Sequence, residues 1–322
     1  MKTYILRRLL QMVPLLLGIT FLSFLLMSLA PGDYLDTLRL NPQISAERIE
    51  EMKRQFGLDQ PWYWRYFLWL KNAVCLNFGY SFQYKIPVWD LISARLFNTF
   101  IVALAAMVFA WTIAIPLGVI AAIKRGSFFD RLSGFFAFAA ISIPEFFLAL
   151  LALWFALVSG WFPVGGLYSV DYDFLSPLGK VADLAHHLVL PTLVLGIGGI
   201  ASLMRLMRGN FLEVMRAEYV TTARAKGLDE RRIYFKHVLR NAINPLVTLF
   251  GYSLAGLLSG AFLVENVMGL PGLGRLTVEA FFAKDVYLVM ASVVMASVLL
   301  ILGNLFADLM LAFVDPRIRY EK

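Results

Sequence analysis

Apolar positions gather into six runs separated by charged segments: residues 9–29, 97–123, 132–160, 188–204, 243–264 and 286–313. About 20 mostly apolar residues, rising 1.5 Å each, cross the ~30 Å of hydrocarbon in a bilayer. Each run therefore predicts a spanning helix, the fourth being the shortest. The fifth holds 22 residues without a charge, while the third and sixth each hold one acid, Glu145 and Asp308. Pro14, Pro116, Pro144, Pro191 and Pro245 fall inside these runs. Intramembrane proline is tolerated when neighbouring helices or polar side chains satisfy the freed carbonyls. The predicted fold class is an all-α polytopic membrane protein with six transmembrane helices.

Composition agrees with this pattern. Of 322 residues, 60% are hydrophobic and 16% charged, against roughly 45–50% and about 25% in soluble domains. That excess cannot be hidden by a water-facing surface, which excludes an ordinary soluble enzyme. A single cysteine, Cys75, excludes an intramolecular disulfide and a multi-thiolate metal site, and three histidines leave little for a His-rich one. No metal site is expected.

The formal charge of +7 would suggest nucleic acid in a soluble protein, but here its placement matters more than its sum. Lys and Arg are retained on the cytoplasmic side of short loops. With the N-terminus inside, cytoplasmic segments hold 18 of the 29 basic residues, nine of them from Arg205 to Arg240. The two short external loops hold only Lys180, Arg275 and Lys284. The remaining eight lie in residues 31–96, a segment too long for the rule to govern. The expected topology is N-in and C-in. It divides the chain into an N-terminal helix (1–30), an external region (31–96), a membrane core of five further spans (97–314) with a cytoplasmic loop at 205–242, and a cytoplasmic tail (315–322). Lys2, Arg7 and Arg8 before an apolar run ending in Ser28-Leu29-Ala30 also resemble a secretory signal. The run exceeds the usual 7–15-residue core and Pro31 opposes cleavage, so it is read as a retained helix.

Two loops carry further signals. Residues 46–56 have helical spacing, with Ser45 as N-cap and Glu47 in the first turn; Arg48 takes the position a capping box would give to an acid. After it come Trp62, Tyr63, Trp64, Tyr66, Phe67 and Trp69, which fit either an interfacial aromatic belt or a substrate-contact surface. The loop 205–242 sets nine basic against four acidic residues. Its small residues Ala223 and Ala225 permit close approach by a partner, and Gly227 between two short helices fits a left-handed C-cap. Docking to a cytoplasmic protein and lying on anionic lipid are both open readings of this loop.

Several motifs are decoys. Residues 196–201, GIGGIA, match a dinucleotide fingerprint but lie inside an apolar run with no preceding strand, so their glycines are assigned to helix packing. Residues 269–274, GLPGLG, lack the Lys-Ser/Thr ending of a P-loop. Neither a metalloprotease H-E-x-x-H nor a G-x-S-x-G elbow occurs. In the fifth run Gly256 and Gly260 have GxxxG spacing and predict helix packing. Glu145 is an ionisable group near mid-span and so a functional candidate, with a structural hydrogen-bonding role as its alternative.

The stretches 7–33 (RRLLQMVPLLLGITFLSFLLMSLAPGD), 57–70 (GLDQPWYWRYFLWL), 77–82 (NFGYSF), 218–228 (EYVTTARAKGL), 236–245 (KHVLRNAINP), 264–276 (VENVMGLPGLGRL) and 315–319 (DPRIR), taken in order, carry a family resemblance. The chain resembles the transmembrane permease subunits of binding-protein-dependent ABC importers of the dipeptide/oligopeptide type, a group that includes nickel and glutathione importers. The resemblance implies a coupling helix within 218–240 that sits in a cleft of an ATP-hydrolysing subunit. Its implied coupling residues are Glu218, Tyr219, Ala223, Ala225, Lys226, Gly227, Leu228, His237, Leu239 and Arg240. Aligned on Gly227, only Ala223, Gly227 and Leu239 match the general E-A-A-x-x-x-G…I-x-L-P form of such loops, and Glu218 lies three residues early. The loop looks instead like the peptide-permease variant.

The resemblance further implies a second homologous permease, two ATP-hydrolysing subunits, an extracytoplasmic solute-binding protein and the cytoplasmic (inner) membrane as partners, and no nucleic acid. The chain itself would bind no cofactor; ATP and Mg would be used by the partner subunits, so it is not expected to be an enzyme. Glu145 would face the translocation path. A self-sufficient secondary transporter using Glu145 and Asp308 as proton sites is the alternative.

Overall fold

The computed structural model describes residues 2–29, 32, 34–39, 45–55 and 57–314. Hydrocarbon offers no water to unpaired backbone groups, so a chain this apolar must close its hydrogen bonds within helices or closed barrels. It chooses helices throughout; among the described residues the one extended pairing is an isolated bridge between Tyr80 and Pro87. Among the described residues four helices are long and apolar enough to cross a bilayer: α1 (Lys2–Leu29), α5 (Val88–Ile123), α8 (Pro177–Val214) and α14 (Val286–Val314). The fifth predicted run forms α12 (Asn244–Val267). Seven of its side chains between 251 and 260, Gly260 among them, lie outside the described residues, as do the side chain of Asp308, the tail 315–322 and the junction Ala30-Pro31.

The third predicted span is not one helix. It divides into α6 (Phe128–Ser142) and α7 (Glu145–Ser159), bent by 99°. Ile143 is extended (ψ 124°) and Pro144 follows at φ −60°, ψ 138°. Proline removes a backbone donor and biases the residue before it away from the helix. Yet Pro14, Pro116 and Pro191 stay inside continuous helices. What distinguishes Pro144 is the acid directly after it: Glu145 opens α7, where a carboxylate is stabilised by the helix dipole. The fourth run is likewise longer than its apolar stretch, because Ser176 caps α8 by accepting from Gly179 N at 3.1 Å and Pro177 fills its first turn.

The chain folds as two compact units, Met1–Thr99 with Pro271–Leu299, and Phe100–Leu270 with Leu300–Lys322. In the first, two short helices, α2 (Tyr34–Arg39) and α3 (Ala46–Gln55), precede α4 (Trp62–Ala73). Ser45 Oγ accepts from Arg48 N, making the expected N-cap of α3. α4 lies against α1. Tyr66 meets Phe21 edge-on and Phe24 at a tilt, its hydroxyl meets Thr20 Oγ1 at 3.0 Å, and Trp69 enters a core with Phe24, Phe78 and Ile92. Trp62, Tyr63, Trp64 and Phe67 remain exposed.

Asp285, directly before α14, is fully buried. Its carboxylate accepts from Ser81 Oγ (2.6 Å), Gln83 N (3.1 Å) and Leu288 N (3.2 Å), so it caps α14 and ties the 81–84 turn to it. Burial nevertheless pushes its carboxyl above the usual carboxylate range, outweighing those donors.

In the second unit, helix α13 plays no part, since α13 (Leu273–Phe282) belongs to the first. Its axis is α8, which packs on α6, α7 and α12 and meets α5 through glycines. A Cβ at Gly118 of α5 would stand 2.7 Å from the Met204 carbonyl oxygen, and one at Gly196 of α8 would stand 2.6 Å from the Phe109 ring. Asp130 of α6 holds Arg208 of α8 through two bonds of 2.6 and 2.8 Å.

Two outcomes follow. Gly118→Ala forces a Cβ onto backbone and should cost about 1–3 kcal/mol, read as a lowered Tm in detergent; Gly209→Ala, whose Cβ meets nothing within 4 Å, should not lower it. Equal Tm values for the two variants would contradict the close α5–α8 seam. Asp285 keeps its proton to higher pH in the fold than in the unfolded chain, so its contribution to stability declines as pH rises above about 4. Wild type should therefore lose Tm relative to Asp285→Asn between pH 4 and the raised value, measured as a pH series of thermal melts.

Candidate functional site: a membrane cavity and a capped loop helix

The break at Ile143-Pro144 places Glu145 in the wall of a cavity of about 550 Å³ in the second unit. Met107, Trp111, Leu195, Leu203 and Leu257 supply apolar wall, while Gly198, Ser202 and Ser253 leave space and a few polar groups. Glu145 is the only ionisable side chain among the described residues of that wall. It is half-buried, forms no hydrogen bond or ion pair among the described residues, and its Oε1 lies 3.9 Å from where a Cβ on Gly198 would stand. Of the predicted packing glycines, Gly256 opens into this cavity, and a Cβ there would meet nothing within 4 Å. GIGGIA divides its glycines: Gly196 and Gly199 face Phe109 and Ala110 of α5, and Gly198 faces Glu145.

Next along α8 a second cavity of about 1000 Å³ is lined by Asp130, Arg131, Phe138, Arg205 and Arg208. The two cavities share Ser202 and Leu206. Arg208 is held by Asp130, and Arg131 donates to the Gly126 carbonyl at 3.1 Å. Arg205 is exposed, with its guanidinium carbon 4.2 Å above the Phe138 ring. Sequence patterning did not single out this cluster, because Arg205 and Arg208 read there only as topological charges.

The loop after α8 begins with α9 (Glu218–Ala225). Gly227 takes φ +75°, and two bonds close the helix end: Leu228 N to Ala223 O (3.3 Å) and Gly227 N to Arg224 O (2.9 Å). This is a Schellman C-cap, which needs the left-handed residue only glycine adopts without strain. Asp229 then caps α10 (Glu230–Arg232) by accepting from Arg231 N. A π-helical turn, Ile233–Val238, leads into α11 (Leu239–Ala242).

One face of α9 is buried. Val220 and Ala223 pack into a core with Met207, Phe211, Ile233, Val238 and Leu246. Ala223 is thus in the interior, and Leu228, His237 and Leu239 are partly covered. Glu218, Tyr219, Ala225, Lys226, Gly227 and Arg240 are exposed. Arg224 reaches Glu230 at 2.7 Å and holds that carboxyl below the usual range. Asn241 donates to the Tyr219 hydroxyl at 3.0 Å, joining α9 to α11. Among the described residues no three His, Cys, Asp or Glu side chains gather as a metal site.

Comparison with known proteins identifies the family. The family model described as "Binding-protein-dependent transport system inner membrane component" matches residues 114–320, and its N-terminal companion matches residues 1–104. The oligopeptide transport system permease protein AppB of Bacillus subtilis (strain 168) is 42% identical over 99% of this chain and all of its own length. The dipeptide transport system permease protein DppB of Escherichia coli (strain K12) is 36% identical over the whole of both chains. Among solved structures, an inward-facing conformation of the MetNI methionine ABC transporter matches 70% of this chain and 96% of its own with a TM-score of 0.52 at 18% identity, a likeness of fold. The chain belongs to the family of binding-protein-dependent transport system inner membrane components, as a multi-pass permease subunit of an ABC importer in the cytoplasmic membrane.

Proposed function

We propose that the chain forms half of the translocation pathway of a peptide importer, with six spans, both termini in the cytoplasm, residues 31–96 outside and 315–322 as the cytoplasmic tail. A second homologous permease supplies the other half, and two ATP-hydrolysing subunits use ATP and Mg. A solute-binding protein delivers cargo to the external face. Peptide cargo is inferred from the relatives, which are named as oligopeptide and dipeptide permeases.

The observation that carries the mechanism is the mounting of α9. Its exposed side offers Glu218, Tyr219, Lys226 and the Gly227 turn, while its other side is anchored by Val220 and Ala223 in a core shared with α8. A docking helix must expose one face to its partner and be rigidly joined to the spans by the other; otherwise motion of the ATPase would be lost in the loop. Alternating access then follows from differential binding of the ATPase and cargo to outward- and inward-facing states. The permease supplies no bond-breaking chemistry. Glu145 is assigned to the translocation path because, among the described residues, it has no partner in the α7–α8–α12 cavity.

Gly227→Asp adds a charge at the exposed turn and strains its positive φ. It should leave membrane insertion intact while reducing both the ATPase subunits recovered with the purified permease and the uptake they drive. Wild-type ATPase recovery and normal uptake in that variant would overturn the coupling assignment.

A further inference from the structure

We infer that the linked cavities along α8 form a two-pole site for a short zwitterionic peptide, with Glu145 taking the terminal ammonium and Arg205 the terminal carboxylate. The inference rests on the importer reading and adds to it the chemistry and length of the cargo.

An acid and a guanidinium line two adjoining cavities that share Ser202 and Leu206, and among the described residues neither has an oppositely charged partner. Glu145 has no donor or cation among the described residues. A carboxylate left unpaired in an apolar wall is costly unless something answers it. Of the three guanidinium groups lining the second cavity, Arg131 and Arg208 are bonded to oxygens of the chain, while Arg205 among the described residues rests only on the face of Phe138. A guanidinium stacked on an aromatic ring keeps its N–H edge free for a carboxylate, which it binds bidentately.

The spacing selects a length. Glu145 sits against Gly198 and the second pole is Arg205. These α8 positions are seven residues apart, or ~10 Å of helix rise. An extended peptide spans about 3.3–3.6 Å per residue, so three residues reach about 10 Å. Ser202 lies between the poles on the shared wall, where its hydroxyl is available to a peptide bond. The apolar remainder of the first cavity tolerates varied side chains, as a carrier of many sequences requires.

The test uses the assembled importer in phosphatidylcholine nanodiscs without its binding protein. Equilibrium binding is measured for tritiated tri-alanine, N-acetyl-tri-alanine and tri-alanine amide. Wild type should favour tri-alanine over each blocked form by about tenfold, the effect of one charge-assisted contact. Glu145→Gln should abolish the preference over the acetylated form and keep that over the amide; Arg205→Gln should do the reverse. Glu145→Asp and Arg205→Lys should retain part of each preference. A wild type that binds all three peptides alike, or binds none, overturns the two-pole site, as does a variant that loses affinity for all three equally while still recovering its ATPase subunits. ATP-driven uptake by the complete wild-type system, measured alongside, separates the two levels. Uptake without these preferences refutes the two-pole site alone, whereas absent uptake counts against the importer reading itself.

Discussion

A peptide backbone in hydrocarbon must satisfy its own hydrogen bonds, and the architecture of this chain depends on that constraint. It forces the apolar runs into helices and restricts irregular backbone to places buried in protein or facing a cavity. The break at Ile143-Pro144 obeys the restriction, because it borders the cavity where Glu145 stands. The same two residues end one helix and begin another, and they place an acid where hydrocarbon alone would not tolerate it. Interruption of the helix and placement of the charge are thus one event.

The loop following α8 solves a different problem, how to be both accessible and rigid. Small residues serve opposite purposes there. Ala223 is small because it is packed into the core beneath α9, whereas Gly227 is glycine because its φ is +75° and it stands exposed at the turn. The Arg224–Glu230 pair crosses that turn on the exposed side, where ion pairs contribute little energy. Rigidity must come from the buried face, from Val220, Ile233 and Val238 against Met207 and Phe211.

What could be read from the sequence was whatever is local. The left-handed cap at Gly227, the N-cap at Ser45 and the helical runs other than the third depend on residues within a few positions of one another, and each of these appears as a helix or cap in the fold. The α6–α7 break was also local, but its two signals, Pro144 and Glu145, have meaning only together: a proline followed by a helix-starting acid. The Asp130–Arg208 pair, 78 residues apart, and the approach of Gly118 to the Met204 carbonyl depend on how helices pack, which periodicity does not encode. Arg205 was visible as a charge but not as a cavity residue, since its partner ring, Phe138, lies on another helix. The exposed, unobstructed surface of Gly256 shows the converse: GxxxG spacing marks a smooth helix face without saying what the face meets.

α8 connects the cavity walls to the loop that follows it. It is one uninterrupted helix from Pro177 to Val214. Gly198 and Ser202 line the first cavity, Arg205 the second, and Met207 and Phe211 the core that anchors α9. Pro191, where such a helix could flex, lies on the far side of the cavity residues from that core. Between Gly198 and Phe211 the helix carries no proline and no break to absorb a displacement of the core beneath α9. Movement delivered to α9 must be carried along α8 into the cavity wall or be resisted by its seam with α5, where Gly118 meets backbone directly. A packed seam of this kind admits alternative registers more readily than gradual deformation, which suits a carrier that must occupy two states and pass quickly between them.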